Sequence, residues 1–132
     1  YFYYDLSAIG DTAVAEKAAA FTKLFQDKYG YPPDAYAAIA YIAYMEMFRG
    51  FEQSKSFDAA KVAAALKADG GKFDSVKGPG FWREDNQAAF KYGAFLVKGK
   101  APADRKGDWD LFTVEGSMGG DQILPPLKSL GY

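Results

Sequence analysis

The order of its elements constrains this chain more than any single residue does. An almost wholly apolar stretch, from Asp34 to about Phe51, has the length and composition of a buried helix. A short amphipathic helix is predicted over 58–67, and Gly70 and Gly71 end it. β-prone segments follow the helices. No catalytic motif accompanies this order, so the order itself is the best guide to function.

Composition limits the chain to one globular domain without the signature of a nucleic-acid-binding protein. Its 132 residues suffice for one hydrophobic core, and 49% of them are hydrophobic against 25% charged. Binding to nucleic acid requires clustered Lys and Arg side chains that neutralise phosphates. Here 16 basic residues are interspersed with 17 acidic ones, which argues against a nucleic-acid partner.

The absence of two residue types removes most catalytic chemistry. The chain contains no histidine and no cysteine, which excludes His general bases, Cys nucleophiles, disulfides and the usual zinc sites. Glu84 and Asp85 are adjacent, which suits a solvated turn better than two carboxylates that flank a substrate. Asp104, Asp108 and Asp110 lack the spacing of a calcium loop. We therefore expect no enzyme, no bound metal and no cofactor.

Helix boundaries follow from capping residues. Asp11 or Thr12 is expected to cap a first helix, which Gly30 ends. Asp34 is expected to cap the second helix, which should be buried on most sides because it is apolar almost all round. One face of the first helix is formed by Val14, Ala18, Phe21 and Phe25.

The strand predictions are shorter and rest on β-prone composition. The segments 1–6, 73–77, 80–83, 90–98 and 109–114 are predicted strands, and 90–98 is the strongest after the first. Gly78, Pro79 and Gly80 predict a bend. A polar turn is expected at 84–87.

The start of the chain predicts a larger protein. The sequence opens on Tyr1-Phe2-Tyr3-Tyr4 without an initiator methionine, as a strand already under way. The longest apolar run, 35–45, is too short to span a bilayer. We expect a C-terminal fragment of a longer chain, with the export signal in the missing N-terminal part.

Five segments together resemble one known family. In order, they are Phe2-Tyr3-Tyr4, 25–30 followed by Pro33, 37–41, 58–66 and 80–87. The pattern is similar to the C-terminal part of periplasmic solute-binding proteins of the branched-chain amino-acid type, which have the type I binding-protein fold. The resemblance covers nearly the whole chain, and it depends on the order and spacing of the segments.

The resemblance implies an α/β fold, namely the C-terminal fragment of a two-lobed type I periplasmic binding protein with three helices followed by short strands. Residues 7–79 would be lobe 1 helices, 80–87 a hinge crossing, and 88–132 the lobe 2 strands and C-terminal tail. Because such a fragment lacks most of the sheet that its helices cover, we expect it to pair with the missing chain or with a copy of itself.

The same resemblance implies a function. The chain would belong to the extracytoplasmic solute-binding component of an ABC importer in the periplasm, which captures a small amino-acid-like or carboxylate ligand by hinge closure and delivers it to a membrane permease. The alternative is a ligand-sensing domain of a receptor or regulator with the same fold. Amino acids, amides and aromatic acids all remain open as ligands.

Five residues are the candidate site. Tyr36 matches a family position where an aromatic ring at the start of the buried helix lines the cleft, although a core tyrosine would have the same sequence signal. Tyr4 and Arg83 lie near predicted crossings, and Arg83 either pairs an anionic ligand group or bridges to Glu84 or Asp85. The hinge candidates, which a plain tight turn explains equally well, are Gly78 and Gly80.

Overall fold

The computed structural model describes residues 9–132 of the chain. The predicted strand at 1–6 and the candidate ligand contact Tyr4 therefore lie outside the described residues.

The first helix, α1, spans Thr12–Tyr29 and confirms the predicted boundaries. The Asp11 carboxylate accepts a hydrogen bond from the Val14 N–H at 3.3 Å, which satisfies one of the free donors of the first turn. Gly30 ends the helix in the left-handed conformation, with φ of 81°, and its N–H donates to the Gln26 carbonyl.

The next two helices also begin where aspartates cap them. Helix α2 spans Ala35–Ser54, and its cap Asp34 accepts from the Ala37 N–H at 2.7 Å. Helix α3 spans Ala59–Lys67, and its cap Asp58 accepts from the Lys61 N–H at 3.0 Å. All three predicted helices are thus confirmed, and each start is fixed by a local hydrogen bond.

Burial of α2 on most sides was a wrong prediction. Only one stripe is buried, made of residues four apart: Ala38, Ile42, Glu46 and Gly50. The apolar side next to this stripe is largely exposed, although the Tyr41 ring contacts Phe21 of α1 with the ring centroids 4.7 Å apart. We call this side the outer face of α2, and its large exposed residues are Tyr41, Tyr44, Met45 and Phe48.

A small antiparallel sheet follows the helices, in the order β1 (Lys72–Phe73), β2 (Gly80–Trp82) and β3 (Ala88–Phe90). The prediction of a strand over 73–77 was wrong beyond its first residue. Ser75 turns the chain there, since its hydroxyl accepts from the Lys77 N–H at 3.1 Å and donates to the Gly78 carbonyl at 2.8 Å.

A second sheet pairs β4 (Ala94–Gly99) with β5 (Phe112–Met118), and it carries a bulge beside Leu96 and Val97. A single strand over 90–98 was therefore a wrong prediction. The chain leaves the first sheet after the Lys91 N–H donates to the Pro79 carbonyl. It enters the second sheet where the Gly93 N–H donates to the Met118 carbonyl; both bonds are 2.8 Å long.

The last strand begins later than the predicted 109–114. Asp110 closes the preceding loop instead, through an ion pair with Lys100 at 2.6 Å and a bond from the Lys106 N–H at 2.9 Å. After β5, a short helix α4 (Gly120–Ile123) leads to the C-terminal turn. The main core lies between α1, α2 and the 76–92 region, and its buried members are Val14, Ala18, Phe21, Ala38, Ile42, Val76 and Tyr92.

Residues 9–132 contain neither a candidate membrane-spanning helix nor a candidate metal site. No helix in this part of the chain has the length and apolar character needed to cross a membrane. The same residues contain no group of three or more potential metal ligands.

Candidate functional site

The first turn of α2 presents the one predicted ligand contact that the structure both describes and exposes. The Asp34 cap fixes this turn, and the buried Pro32 and Pro33 lead into it. Tyr36 lies on the turn with 83% of its surface exposed. No hydrogen bond or ring contact from residues 9–132 holds its side chain. The ring is therefore placed for contact with another molecule or segment, and its role in ligand binding stays a prediction.

A small cavity of about 40 Å³ adjoins this turn. We call it the α2 notch. In the described part of the chain its wall is apolar except for one lysine, since the lining residues are Ala35, Ala38, Ile39, Lys77, Gly93, Ala94 and Phe95. The notch thus brings together the start of α2, the turn after β1 and the start of β4.

Among residues 9–132, Lys77 is the only ionisable residue in the lining of the α2 notch. Its ammonium donates to the Gly93 carbonyl at 3.2 Å and lies 4.7 Å from the centre of the Phe90 ring. Burial lowers the pKa of Lys77 below the usual value, because desolvation disfavours the charged form. No carboxylate among residues 9–132 forms an ion pair with Lys77, so its charge has no counter-ion in this part of the chain.

The turn that presents Lys77 also accounts for Gly78. Gly78 has φ of +85°, a conformation that favours glycine, and a Cβ there would lie 3.0 Å from the Val14 side chain. At Gly80, a Cβ would lie 2.6 Å from the Phe73 ring. Close packing therefore favours glycine at both positions, and the positive φ is a second reason at Gly78. Their role as hinge residues stays a prediction.

Arg83 lies inside the protein, with 8% of its surface exposed. It forms an ion pair with Asp85 at 3.0 Å, and its Nη2 donates to the Pro125 carbonyl at 2.7 Å. The Asp85 side chain is only 3% exposed, so the two charges neutralise each other in a buried setting. The bridge to Asp85 is thus present, while Arg83 Nε has no hydrogen-bond partner among residues 9–132. Contact between Arg83 and a ligand stays a prediction.

A polar cluster fixes the segment between the two sheets against α1. The Asp11 carboxylate accepts from the Lys91 ammonium at 2.7 Å and from the Tyr92 hydroxyl at 3.0 Å. The bond from Lys91 is the main cause that lowers the pKa of Asp11, whereas burial is the main cause that raises the pKa of Tyr92. Because Tyr92 precedes Gly93, the cluster also positions the back of the α2 notch.

Two larger cavities lie elsewhere. One of about 370 Å³ is bordered by α1 and α2, and Glu46 is its buried acidic residue. Both oxygens of Glu46 are engaged, by Arg49 at 2.6 and 2.9 Å and by the Trp82 indole at 2.9 Å. The other, of about 550 Å³, lies beside the first sheet and is lined in part by Lys72 and Phe81. Neither brings together any of the predicted site residues except Gly80, which borders the second.

Sequence reasoning missed both Lys77 and Glu46. Lys77 carries no local signal, because a lysine between a valine and a glycine is typical of any solvated turn. Glu46 does carry a local signal, since it is an acidic residue between two methionines in a mostly apolar helix. Buried charged groups require partners, so such a residue predicts a buried ion pair or hydrogen bond.

Sequence comparison finds one family. The model of the periplasmic binding protein family matches residues 2–104 of the chain. No curated protein sequence matches it.

Three solved structures with similar folds are transport proteins by their names. A branched chain amino acid ABC transporter periplasmic ligand-binding protein from Burkholderia xenovorans LB400 is 31% identical with a TM-score of 0.79, and the match covers 97% of this chain. An ABC-type branched-chain amino acid transporter from Rhodopseudomonas palustris CGA009 is 27% identical with a TM-score of 0.68 over 97% of this chain. An amino acid ABC transporter substrate-binding protein from Pseudomonas fluorescens Pf-5, 24% identical with a TM-score of 0.68 over 86% of this chain, shares the fold.

The chain spans about a third of the length of these structures. The matched regions cover 31%, 32% and 29% of the Burkholderia xenovorans, Rhodopseudomonas palustris and Pseudomonas fluorescens chains, respectively.

Proposed function

Because the chain belongs to the periplasmic binding protein family, we propose that it forms part of a protein that captures a small solute between two lobes. The family resemblance and the α/β fold predicted from the sequence are both confirmed. Membership in a family of binding proteins supports binding without catalysis. The proposed solute is an amino-acid-like molecule or another small carboxylate.

The observation that carries this proposal is the exposed aromatic ring at the start of α2. Tyr36 is 83% exposed on a turn that Asp34 holds rigid, beside a notch with apolar walls. An exposed ring has an apolar face and a polar tip, and both are useful against a small organic solute. No core formed by residues 9–132 encloses the Tyr36 side chain, which leaves its ring free for contact outside this part of the chain.

Closure of the two lobes is part of the proposal. We assign 7–79 to lobe 1, 80–87 to the crossing between lobes and 88–132 to lobe 2, with Gly78 and Gly80 as the hinge. The solute would then select the closed arrangement by making contacts with both lobes. The first turn of α2 and the start of β4 meet at the α2 notch.

Transport is the proposed biological setting. The names of the similar structures from Burkholderia xenovorans LB400 and Rhodopseudomonas palustris CGA009 both refer to ABC transporters of branched-chain amino acids. We propose that this protein likewise acts in the periplasm and delivers its solute to an ABC permease.

The outer face of α2 is a candidate contact surface for another part of the same protein. Four large apolar residues of one helix are exposed there, which is more than isolated surface positions would account for. We propose that the rest of the full-length protein covers this face, and that the 132-residue chain alone associates with a copy of itself. A light-scattering mass of one monomer for the isolated chain would argue against that association.

Substitution of Tyr36 in the full-length protein tests the proposed function. Thermal unfolding is followed with leucine, asparagine and benzoate, because a solute that binds only the folded state raises its melting temperature in a saturable way. We expect at least one of them to do so, and Tyr36→Ala to weaken its affinity about tenfold through loss of the ring contact. Tyr36→Phe should keep most of the affinity.

The matched control is Tyr132→Ala, which removes another exposed tyrosine, 59% exposed, far along the chain. Unchanged affinity in Tyr36→Ala would remove Tyr36 from the site. No shift with any of the three compounds would argue against solute capture.

A further inference from the structure

Lys77 differs from the other positively charged residues that are partly or fully buried. Within residues 9–132, four Lys or Arg residues are not fully exposed: Arg49, Lys77, Arg83 and Lys100. Three of them have a carboxylate partner, at 2.6 Å for Arg49, 3.0 Å for Arg83 and 2.6 Å for Lys100. Lys77 has none in this part of the chain.

We propose that the Lys77 ammonium binds a carboxylate of the solute in the α2 notch, while the body of the solute lies against Tyr36. This inference rests on the proposed function and deepens it by assigning the residue that binds the carboxylate of the solute. Lys77 then determines specificity through one charge, and Tyr36 contributes an apolar contact.

The hydrogen-bonding capacity of Lys77 leaves room for such a ligand. An ammonium has three donors, and the Gly93 carbonyl takes one of them. The Phe90 ring faces the charge at 4.7 Å but accepts no conventional hydrogen bond. Two donors therefore remain, which is the number needed to bond both oxygens of a carboxylate or one oxygen and a water.

The surroundings of Lys77 strengthen its attraction for an anion. The other six lining residues within 9–132 have no ionisable side chain, so no charge in this part of the wall competes for the ammonium. A poorly hydrated cation gains more from an anion than an exposed one does, because water screens the pair less. The volume of about 40 Å³ matches a group of carboxylate size and leaves the rest of a solute outside the notch, toward the first turn of α2.

The titratable groups next to the segments that form the notch do not neutralise Lys77. Asp74, three residues before Lys77, forms an ion pair with Lys17. Asp34 precedes α2 and caps it through the Ala37 N–H. Tyr92 precedes Gly93, and its hydroxyl donates to Asp11, which also pairs with Lys91. The Asp11 charge is thus matched by Lys91, and an anionic solute would be the counter-ion of Lys77.

The test compares acids with their neutral amides on the full-length protein. Affinities are measured by calorimetry for benzoate against benzamide and for phenylacetate against phenylacetamide, in the wild type and in Lys77→Met. In the wild type, we expect the acid of at least one pair to bind at least tenfold more tightly than its amide, as for a charge-assisted hydrogen bond. Lys77→Met should remove that preference and leave the affinity for the amide unchanged, whereas Lys77→Arg should retain part of it.

The matched control is Lys98→Met, which removes an exposed lysine on β4 and should leave the acid preference intact. Loss of the preference in this control as well would attribute it to overall charge and overturn the inference. Equal binding of acids and amides by the wild type would also overturn the inference, but it would leave the proposed solute capture intact. Absence of binding by all four compounds would contradict the proposed function and the inference together. If Lys77→Met fails to fold, Lys77→Gln provides the same comparison.

Discussion

Two cations six residues apart, the half-buried Lys77 at the α2 notch and the buried Arg83 after β2, have opposite electrostatic surroundings. Arg83 pairs with Asp85 at 3.0 Å and donates to the Pro125 carbonyl, so its charge is neutralised within the chain. Lys77 has one carbonyl and one ring face but no carboxylate among residues 9–132. A buried charge that is paired inside the chain has a structural explanation, whereas an unpaired one calls for a partner from outside.

The difference changes the expected ranking of site residues. From the sequence, Arg83 was a candidate for an anionic ligand group because arginine forms geometrically specific pairs with carboxylates. In the structure, a carboxylate of the same chain already occupies that role. Lys77, which the sequence analysis did not single out, has the free donors and the apolar wall that an anionic ligand needs.

The largest expected effect is the loss of stability in Arg83→Met. The substitution leaves the 3% exposed Asp85 side chain as an unpaired buried charge, so we expect a loss of about 3 kcal/mol in the free energy of unfolding. Denaturant unfolding of the full-length protein measures it. The control Lys23→Met, from an ion pair with side chains 75% and 62% exposed, should cost less than about 1 kcal/mol. An Arg83→Met protein of wild-type stability that loses solute affinity would reverse the assignments of the two cations.

A smaller loss is expected for Glu46→Gln, which tests whether paired buried charges in this protein are generally structural. Glutamine keeps one acceptor for Arg49 or the Trp82 indole but loses the charge and the second acceptor. We expect a loss of about 1–2 kcal/mol in the free energy of unfolding, with unchanged solute affinity. A change in solute affinity without a change in stability would place a ligand site in the neighbouring 370 Å³ cavity instead.

The smallest expected change in the free energy of unfolding at neutral pH, within about 1 kcal/mol, is that of Lys77→Met. The substitution removes one hydrogen bond, which destabilises the fold, but it also removes a desolvated charge, which stabilises it. The pH dependence carries the sharper information. Burial lowers the pKa of Lys77 from 10.5, so between the two values the unfolded chain binds more protons than the folded one. Wild-type stability should therefore rise with pH through that window relative to Lys77→Met.

The free energies of unfolding of the wild type and of Lys77→Met are measured with denaturant at pH 7, 9 and 10.5. Their difference removes the contribution of the groups that titrate equally in both proteins. A stability difference that stays constant across the three values would mean that Lys77 is not desolvated. That result would remove one support for the acid-binding inference.

Features that depend on contacts between residues close in sequence could be predicted from the sequence. Asp11, Asp34 and Asp58 each cap a helix through an N–H three residues away, so all three helix starts were predictable. The pairing of Arg83 with Asp85 was also within reach, because the partners are two residues apart.

Long-range contacts account for what the sequence did not predict. The break between β3 and β4 depends on bonds from Lys91 to Pro79 and from Gly93 to Met118, which join distant segments. The Arg83 bond to Pro125 spans 42 residues. The notch around Lys77 exists only because α2, the turn after β1 and β4 converge there. Composition of the 73–77 segment gives no sign of that convergence.

A crystal structure of the full-length protein with 4-bromobenzoate tests the central claim most directly, because the anomalous signal of bromine locates the ligand without ambiguity. We expect the carboxylate within about 3 Å of the Lys77 ammonium, the distance of a charge-assisted hydrogen bond. The ring should lie against Tyr36. A bromine signal at another site, with Lys77 still bonded only to the Gly93 carbonyl, would contradict the account.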